Sequence, residues 1–199
     1  MAMANIFAQL PTLETERLIL RKVTWDDLED IHTYASNEEV TKHVTWETHK
    51  TLADTKAFMK FALTQYENEQ IAPWGIQYKE NGKIIGTIDF VSWQVSHNVA
   101  AIGYVLTQDY WGKGIMTEAA KEVIAFGFNH MEVIRIQARC FVDNKGSARV
   151  MEKSGMSFEG TMRKMMFAKG KHQDVHMYSI LKEEFASLQT PIIEKANNI

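Results

Sequence analysis

The stretch Tyr110-Trp111-Gly112-Lys113-Gly114-Ile115-Met116-Thr117 separates a strand-like apolar run, residues 100–106, from an amphipathic run, residues 114–128. Glycine permits positive φ and has no side chain to obstruct a ligand. The N-terminus of a helix leaves backbone N–H groups unpaired and carries about half a positive charge. Two glycines placed directly before a helix therefore predict a turn that binds an anion.

Two familiar phosphate-binding patterns do not fit this turn. The P-loop requires G-x-x-x-x-G-K-[ST], and the dinucleotide fingerprint requires a third glycine where this chain has Thr117. An isolated G-x-G is equally compatible with a tight strand-to-helix connection that binds nothing. The turn alone leaves both interpretations open, and the rest of the sequence has to distinguish them.

Composition indicates a globular protein of one domain. The chain has 199 residues, of which 45% are hydrophobic and 24% charged, with a formal net charge of −3. The sequence has neither a long basic run nor a signal peptide nor the ~20 apolar residues of a membrane helix. The single cysteine, Cys140, suits a reducing compartment. We expect a cytoplasmic monomer or homodimer that binds no nucleic acid and no membrane.

Hydrophobic periodicity predicts an α/β fold with a mixed sheet. Asn81-Gly82 between two apolar runs is a strong hairpin signal. The predicted strands cover residues 17–23, 74–78, 84–91, 100–106, 133–141, 156–167 and 174–181. The predicted helices cover residues 25–36, 51–67, 114–128 and 145–154, with an ordered loop at 38–50 and a frayed end at 191–199.

In combination these features resemble the GNAT superfamily of acetyltransferases, and most closely its RimJ/RimL branch, which acetylates the N-termini of ribosomal proteins. The resemblance runs over about residues 14–185 and implies a single GNAT domain, with a sheet of about six to seven strands and about four helices. One departure is Asp109, where many members of the superfamily have Gln or Arg. The residues that carry the resemblance are Glu16-Arg17-Leu18, Leu20-Arg21, Gly86, Ile102-Gly103-Tyr104, the turn with Thr117-Glu118-Ala119, Asn144, Ser147, Lys153 and Gly155.

The resemblance implies acetyl-coenzyme A as co-substrate and no metal. It implies that the pantetheine arm pairs with the strand ending at Leu106 and that the pyrophosphate accepts hydrogen bonds from the backbone of residues 112–117. A solvated loop lysine is as good an interpretation of Lys113 as a phosphate ligand. The coenzyme-binding residues implied are Tyr104, Leu106, Gly112, Lys113, Gly114, Ile115, Met116, Thr117, Asn144 and Ser147.

Acetyl transfer to an amine needs a base, an oxyanion donor and a proton source for the leaving thiolate. Much of the superfamily has a tyrosine acid seven residues after the asparagine, but this chain has Met151 there. The RimJ/RimL branch implies Ser147 as the acid and Glu159 as the base. A protein α-amine has a pKa of roughly 8, so a modest base suffices.

Other candidates for the chemistry are weaker. Asp89 and His97 are alternative proton acceptors, and a backbone N–H within residues 104–106 is the expected oxyanion donor. Cys140 lies in mid-strand without a local basic partner, so we do not expect an acetyl-cysteine intermediate.

The sequence leaves three functions open. The first is acetylation of a protein N-terminus, and the second is acetylation of a small amine such as an aminoglycoside, a polyamine or an amino sugar. The third is a coenzyme-A-binding module without catalysis, which the absence of a tyrosine at Met151 keeps open. Trp46 is the predicted wall of the acceptor site. Its acidic neighbours in the loop, Glu38, Glu39 and Glu47, would suit a cationic acceptor.

Overall fold

A computed structural model of the protein describes residues 6–7 and 10–189, so the predicted fraying of residues 191–199 lies outside the described part. The strands are β1 (Leu13–Glu14), β2 (Leu18–Arg21), β3 (Trp74–Tyr78), β4 (Ile84–Gln94), β5 (Val99–Leu106), β6 (Arg135–Phe141), β7 (Ser157–Ala168) and β8 (Lys171–Leu181). The α-helices are α1 (Leu28–Ala35), α2 (Glu38–Thr41), α3 (Leu52–Glu67), α4 (Ile115–His130), α5 (Lys145–Lys153) and α6 (Lys182–Gln189).

The eight strands form one mixed sheet in the order β1-β2-β3-β4-β5-β6-β8-β7. Neighbouring strands are antiparallel except β5 and β6, which run parallel. These two strands pair only from Val99–Arg135 to Ala101–Gln137, because they diverge towards their C-terminal ends. The divergence opens the centre of the sheet on the side where the glycine turn and α5 follow.

Helices cover both faces of the sheet. On the back face, Phe126 of α4 packs edge-on against Trp74, with ring centroids 5.6 Å apart. On the front face, α1 packs on β4. Side chains alternate between faces along a strand, so Asp89 points to the same front face as Thr87.

Strand packing explains why position 86, one of the positions that carry the family resemblance, is a glycine. A Cβ atom at this position would lie 2.2 Å from the carbonyl oxygen of Val105, which is backbone of the adjacent strand β5. Because a backbone atom cannot move away cheaply, only glycine lets β4 and β5 approach this closely. Gly86 therefore sets the position of the strand that borders the central opening.

The predicted fold class is confirmed, and the counts are slightly higher than predicted, with eight strands and six α-helices in the described residues. The extra strand β1 has only two residues, too few for a periodic signal. Helix α2 lies within the predicted loop and is started by Asn37, whose side chain accepts a hydrogen bond from the N–H of Glu39. Helix α6 follows β8 directly, and its Phe185 packs on Phe128 of α4.

Among the described residues, no helix is long and apolar enough to cross a bilayer.

Candidate active site

A cavity of about 510 Å³ lies where β5 and β6 diverge, between the glycine turn and α5. A cavity of this volume is typical of small-molecule sites. All of the predicted coenzyme-binding residues except Lys113 line it, so residues far apart in sequence meet at one place. These are Tyr104, Leu106, Gly112, Gly114, Ile115, Met116, Thr117, Asn144 and Ser147.

The glycine turn has the geometry that an anion site requires. Gly112 and Gly114 have φ angles of 73° and 76°, in the left-handed region that other residues rarely adopt. Gly114 is the N-cap of α4, so the first N–H groups of that helix point out of its N-terminus towards the cavity. A Cβ atom at Gly112 would meet no atom within 4 Å, because the turn faces open space.

Arg17 holds the turn from the N-terminal side of the sheet. Its Nη1 donates to the carbonyl oxygen of Lys113 at 3.0 Å, and its Nε donates to Glu118 at 2.7 Å. The hydroxyl of Thr15 also donates to Glu118, at 2.6 Å. One ion pair thus fixes both the turn and the first turn of α4. Arg17 and Glu118 are two of the residues that carry the family resemblance, and nothing local in the sequence shows that they contact each other, since 101 residues separate them.

Lys113 is the one predicted coenzyme residue whose side chain is directed elsewhere. Its ammonium group lies 5.4 Å from the centroid of the Tyr110 ring, within the range of a cation–π contact. Its exposed position agrees with the solvated alternative. A phosphate contact by its side chain stays a prediction.

The inner edge of β5 is free to pair with another molecule over half of its length. Beyond Ala101, residues 102–106 make no ladder with β6. Trp111 closes the end of this edge, because its indole Nε1–H donates to the carbonyl oxygen of Leu106 at 2.8 Å. An unpaired strand edge of this kind binds amide groups by strand addition, as the predicted pantetheine pairing requires.

Ser147 lies on the first turn of α5, directly at the cavity. The side chain of Asn144 caps the helix by accepting a hydrogen bond from the N–H of Ser147 at 3.0 Å. The Ser147 Oγ lies 2.9 Å from the phenol oxygen of Tyr104, which comes from β5 on the other side of the opening. Met151, at the position where much of the superfamily has a tyrosine, is buried in the core. The tyrosine hydroxyl that does lie at this part of the site is that of Tyr104, which comes from strand β5 and not from helix α5.

Cys140 also borders the cavity, but it is a poor nucleophile. Burial raises the pKa of its thiol to about 11, so the thiolate is scarce at neutral pH. This supports direct transfer over an acetyl-cysteine intermediate.

Glu159 is not among the residues that line the cavity. Its carboxylate accepts two hydrogen bonds from the guanidinium of Arg135, each 2.5 Å long, and one from Ser179 at 2.6 Å. These partners lower the pKa of Glu159 to about 2, which makes it a weak base at neutral pH. Its role as the base stays a prediction, and the structure does not bring it together with Ser147.

Asp89 lies beside the cavity, although it is not among the residues that line it. It pairs across the strands with Gly103, which lines the cavity, and a Cβ atom at Gly103 would lie only 3.6 Å from the Asp89 Oδ1. Within the described residues its carboxylate has no hydrogen-bond or ion-pair partner. Desolvation by the surrounding protein raises its pKa to about 7, although the side chain keeps some exposure to solvent.

The remaining candidates lie away from the cavity. His97 is exposed in the turn before β5, at the end opposite to the divergence. Trp46 is half-buried, stacks on His49 with centroids 5.2 Å apart, and does not line the cavity. The fold therefore places neither His97 nor Trp46 at the cavity.

The acidic residues of the loop are each paired with a lysine. Glu38 binds Lys50 at 2.9 Å, Glu39 binds Lys42, and Glu47 lies 3.5 Å from Lys169. The expected acidic attraction for a cationic acceptor is therefore largely neutralised within the protein. In the described residues, no group of 3 or more His, Cys, Asp or Glu side chains is arranged so that it could hold a metal ion.

Comparison with known proteins identifies the fold and the chemistry. Residues 17–157, which include the diverging strands, the glycine turn and Ser147, match the family model described as "Acetyltransferase (GNAT) domain". The chain belongs to the GNAT family. It is an N-acetyltransferase, and the predicted family is confirmed.

Some relatives match over almost their whole length and others over about half of it. The chain is 34% identical to the "Uncharacterized N-acetyltransferase YoaA" of Bacillus subtilis, over 86% of this chain and 97% of that protein. The crystal structure of an acetyltransferase (GNAT family) from Bacillus anthracis is 32% identical and superposes with a TM-score of 0.77, over 87% and 99% of the two chains. The "Ribosomal-protein-serine acetyltransferase" of Escherichia coli is 30% identical over 51% of this chain and 56% of its own.

Proposed function

We propose that this GNAT protein transfers the acetyl group of acetyl-coenzyme A to the α-amine of a protein N-terminus, by direct attack in a ternary complex. The observation that carries the proposal is Asp89, an unpaired carboxylate beside the point where β5 and β6 diverge, with its pKa raised to about 7. An α-amine has a pKa of roughly 8, so the two groups are matched for proton transfer near neutral pH. A lysine side chain, with a pKa of roughly 10, is a poorer match.

The coenzyme would lie along the cavity. Its pyrophosphate would accept hydrogen bonds from the N–H groups of residues 112–117, where the helix N-terminus favours negative charge. Its pantetheine amides would pair with the free edge of β5 at residues 102–106. This arrangement brings the thioester to the vertex of the divergence, next to Gly103 and Ser147, which both line the cavity.

The transfer can then proceed in one addition and one elimination. Asp89 accepts a proton from the acceptor ammonium, directly or through one water, and the neutral nitrogen attacks the thioester carbon. A backbone N–H of residues 104–106 stabilises the oxyanion. The new C–N bond remains when the C–S bond breaks, and the second proton that the attacking nitrogen loses passes to the leaving thiolate, directly or through a water, to give the free thiol. The hydroxyl of Ser147 donates a hydrogen bond to that sulfur as it leaves. Tyr104 positions Ser147 through the contact at 2.9 Å.

Two observations favour a protein acceptor over a polycationic small molecule. The acidic side chains Glu38, Glu39 and Glu47 are already paired with lysines, so the loop offers no free acidic pocket. The similarity to a protein named as a ribosomal-protein-serine acetyltransferase points to the same acceptor class. A non-catalytic module is disfavoured because Ser147 and Tyr104 line the cavity and Asp89 lies beside it, on the strand next to Gly103.

An assay of thiol release from acetyl-coenzyme A over an acceptor panel tests the proposal. The panel contains peptides with free N-termini, the same peptides with blocked N-termini but one internal lysine, spermidine and an aminoglycoside. We expect free N-terminal peptides to have the highest kcat/KM, by at least about tenfold. Faster turnover of spermidine or the aminoglycoside would contradict the proposed acceptor, and tight coenzyme binding without turnover of any amine would indicate a binding module.

The Ser147–Tyr104 pair gives a separate prediction about the leaving thiolate. We expect Ser147→Ala to lower kcat by about 10-fold or more, since a hydrogen bond to a charged group contributes roughly 1.5–3 kcal/mol. Tyr104→Phe should lower kcat by a few-fold only, and it should have no further effect in the Ser147→Ala background. Steady-state rates of the four proteins measure this coupling. Independent, additive effects would show that Tyr104 does not act through Ser147.

A further inference from the structure

Arg139 is a charged residue of the cavity that the proposed chemistry does not use. In β6 its neighbours Ala138 and Cys140 are buried, whereas Arg139 is exposed on the front face. It lies beyond the last β5–β6 pair, Ala101–Gln137, and therefore at the mouth of the divergence. Its side chain is one of those that line the cavity.

The guanidinium of Arg139 has no ion-pair or hydrogen-bond partner within residues 10–189. Arg135, four residues earlier on the same face, is held by Glu159. Of the other cations that line the cavity, Lys42 is paired with Glu39 and Arg149 with Glu152, whereas Lys145 and Lys153 of α5 have no ion-pair partner in the described residues. Arg139 differs from these two lysines because it projects from the sheet, two residues beyond the last β5–β6 pair.

Arg139 lies in the same cross-strand row as the proposed base. Asp89 pairs with Gly103, which is two residues beyond Ala101, just as Arg139 is two residues beyond Gln137. Neighbouring strands are roughly 4.8 Å apart, so the backbones of Asp89 and Arg139 are about 10 Å apart, or more where the strands diverge. Gly103 between them has no side chain of its own, and Val91 of β4 packs over it, with its Cγ1 2.6 Å from where a Cβ atom would lie. One or two residues of an extended peptide would span the distance between an amine beside Asp89 and an anion beside Arg139.

We propose that Arg139 binds a carboxylate of the acceptor, so that the enzyme prefers protein N-termini with an acidic side chain at the first or second residue. The inference rests on the proposed acceptor class and deepens it. A guanidinium binds a carboxylate with two parallel hydrogen bonds, which fixes the orientation of the bound chain as well as its charge. The amine is thereby directed to Asp89 and the thioester.

Peptides that differ only at the second residue test this role. Three peptides begin with Ser and carry Glu, Gln or Lys at position two, and free glutamate serves as a small acidic acceptor. For the wild-type enzyme we expect kcat/KM to be at least about tenfold higher for the Glu peptide than for the Gln peptide, and lower again for the Lys peptide. A preference for free glutamate over all peptides would contradict the peptide assignment.

Arg139→Gln should abolish the difference between the Glu and Gln peptides, and Arg139→Glu should favour the Lys peptide. The KM for acetyl-coenzyme A should stay within about twofold in both variants. The matched control is Arg163→Gln, which removes an exposed arginine of β7 outside the cavity and should leave the preference intact. Binding of the Glu peptide to the enzyme–coenzyme A complex, measured by calorimetry, should weaken in Arg139→Gln and checks the role without turnover.

The experiments distinguish a failure of the Arg139 role from a failure of the proposed function. If peptides are acetylated with equal kcat/KM whatever their second residue, the role of Arg139 is wrong and the proposed function stands. If only cationic or uncharged small amines are acetylated, the proposed function is wrong and this inference with it. A parallel rise in KM for acetyl-coenzyme A and for the peptide in Arg139→Gln would assign Arg139 to the coenzyme instead.

Discussion

Asp89→Asn is expected to lower kcat/KM for acetylation of an N-terminal peptide by at least about 10², which is the typical contribution of a general base. Asparagine keeps the size of the side chain and cannot accept the proton. Because the N–H groups of the glycine turn are untouched, the affinity for coenzyme A should be unchanged. Steady-state kinetics and calorimetric titration with coenzyme A measure the two quantities on the same preparation.

The pH dependence of the wild-type rate should follow from the raised pKa of Asp89. A base must be ionised to act, so activity should be lost as the pH falls through about 7, the pKa of this carboxyl in the folded protein. The amine acceptor, with a pKa of roughly 8, adds a second rise at higher pH. In Asp89→Asn only the rise that belongs to the amine should remain.

The same substitution should stabilise the fold, which separates a functional carboxylate from a structural one. The pKa of Asp89 is raised from an unfolded value of 3.8 to about 7, so the folded protein favours the neutral form and loses stability as the pH rises from about 4 to 7. Asparagine remains neutral. At pH 8 we expect Asp89→Asn to raise the free energy of unfolding by about 1 kcal/mol, a rise of roughly 2–4 °C in Tm. Near pH 4 the difference should vanish.

Glu159→Gln is the matched control and tests the alternative base. Glu159 is held by Arg135 and Ser179, so its replacement should reduce stability, and we expect the rate to stay within about fivefold of the wild type. The sign of its pH linkage is opposite, because a pKa lowered to about 2 gives stability that is lost as the pH falls below about 4. A loss of 10² in Glu159→Gln with a near-normal Asp89→Asn would reverse the assignment.

The conformation of the glycine turn, where we propose that the coenzyme binds, could be predicted from the sequence because it depends on local backbone geometry. The conformation of this turn is determined by Gly112-Lys113-Gly114 and by the start of the helix after it, which are adjacent in sequence. The pairing of Asn144 with Ser147 is likewise a first-turn helix contact. Features of this kind can be predicted without knowing which strands are neighbours in the sheet.

The surroundings of the candidate bases Asp89 and Glu159 could not be predicted, because they depend on long-range contacts. Nothing local shows that Arg135 neutralises Glu159, since 24 residues separate them and the contact forms only when β6, β8 and β7 align. The raised pKa of Asp89 also comes from elements that fold around it rather than from its neighbours in sequence. A sequence pattern identifies a carboxylate, whereas its partners in the fold decide whether it is a base.

Gly112→Val should raise the Kd for coenzyme A by at least about 10-fold. Valine is disfavoured at a φ of 73°, and its side chain would project from the turn that is proposed to hold the pyrophosphate. Strain alone could also unfold the turn, so the measurement needs a control with equal strain. Fluorescence or calorimetric titration with coenzyme A reports the Kd, and thermal unfolding without ligand reports the strain.

Gly170→Val provides that control in the same molecule. Gly170 joins β7 and β8 with a φ of 72°, and a Cβ atom there would also meet nothing within 4 Å. The two substitutions impose the same backbone conformation on the same side chain, one at the cavity and one outside it. Equal losses of Tm with a coenzyme defect only in Gly112→Val are expected, since only that turn precedes the N-terminus of α4. An equal coenzyme defect in both variants would mean that general destabilisation, not the anion site, accounts for the loss of affinity.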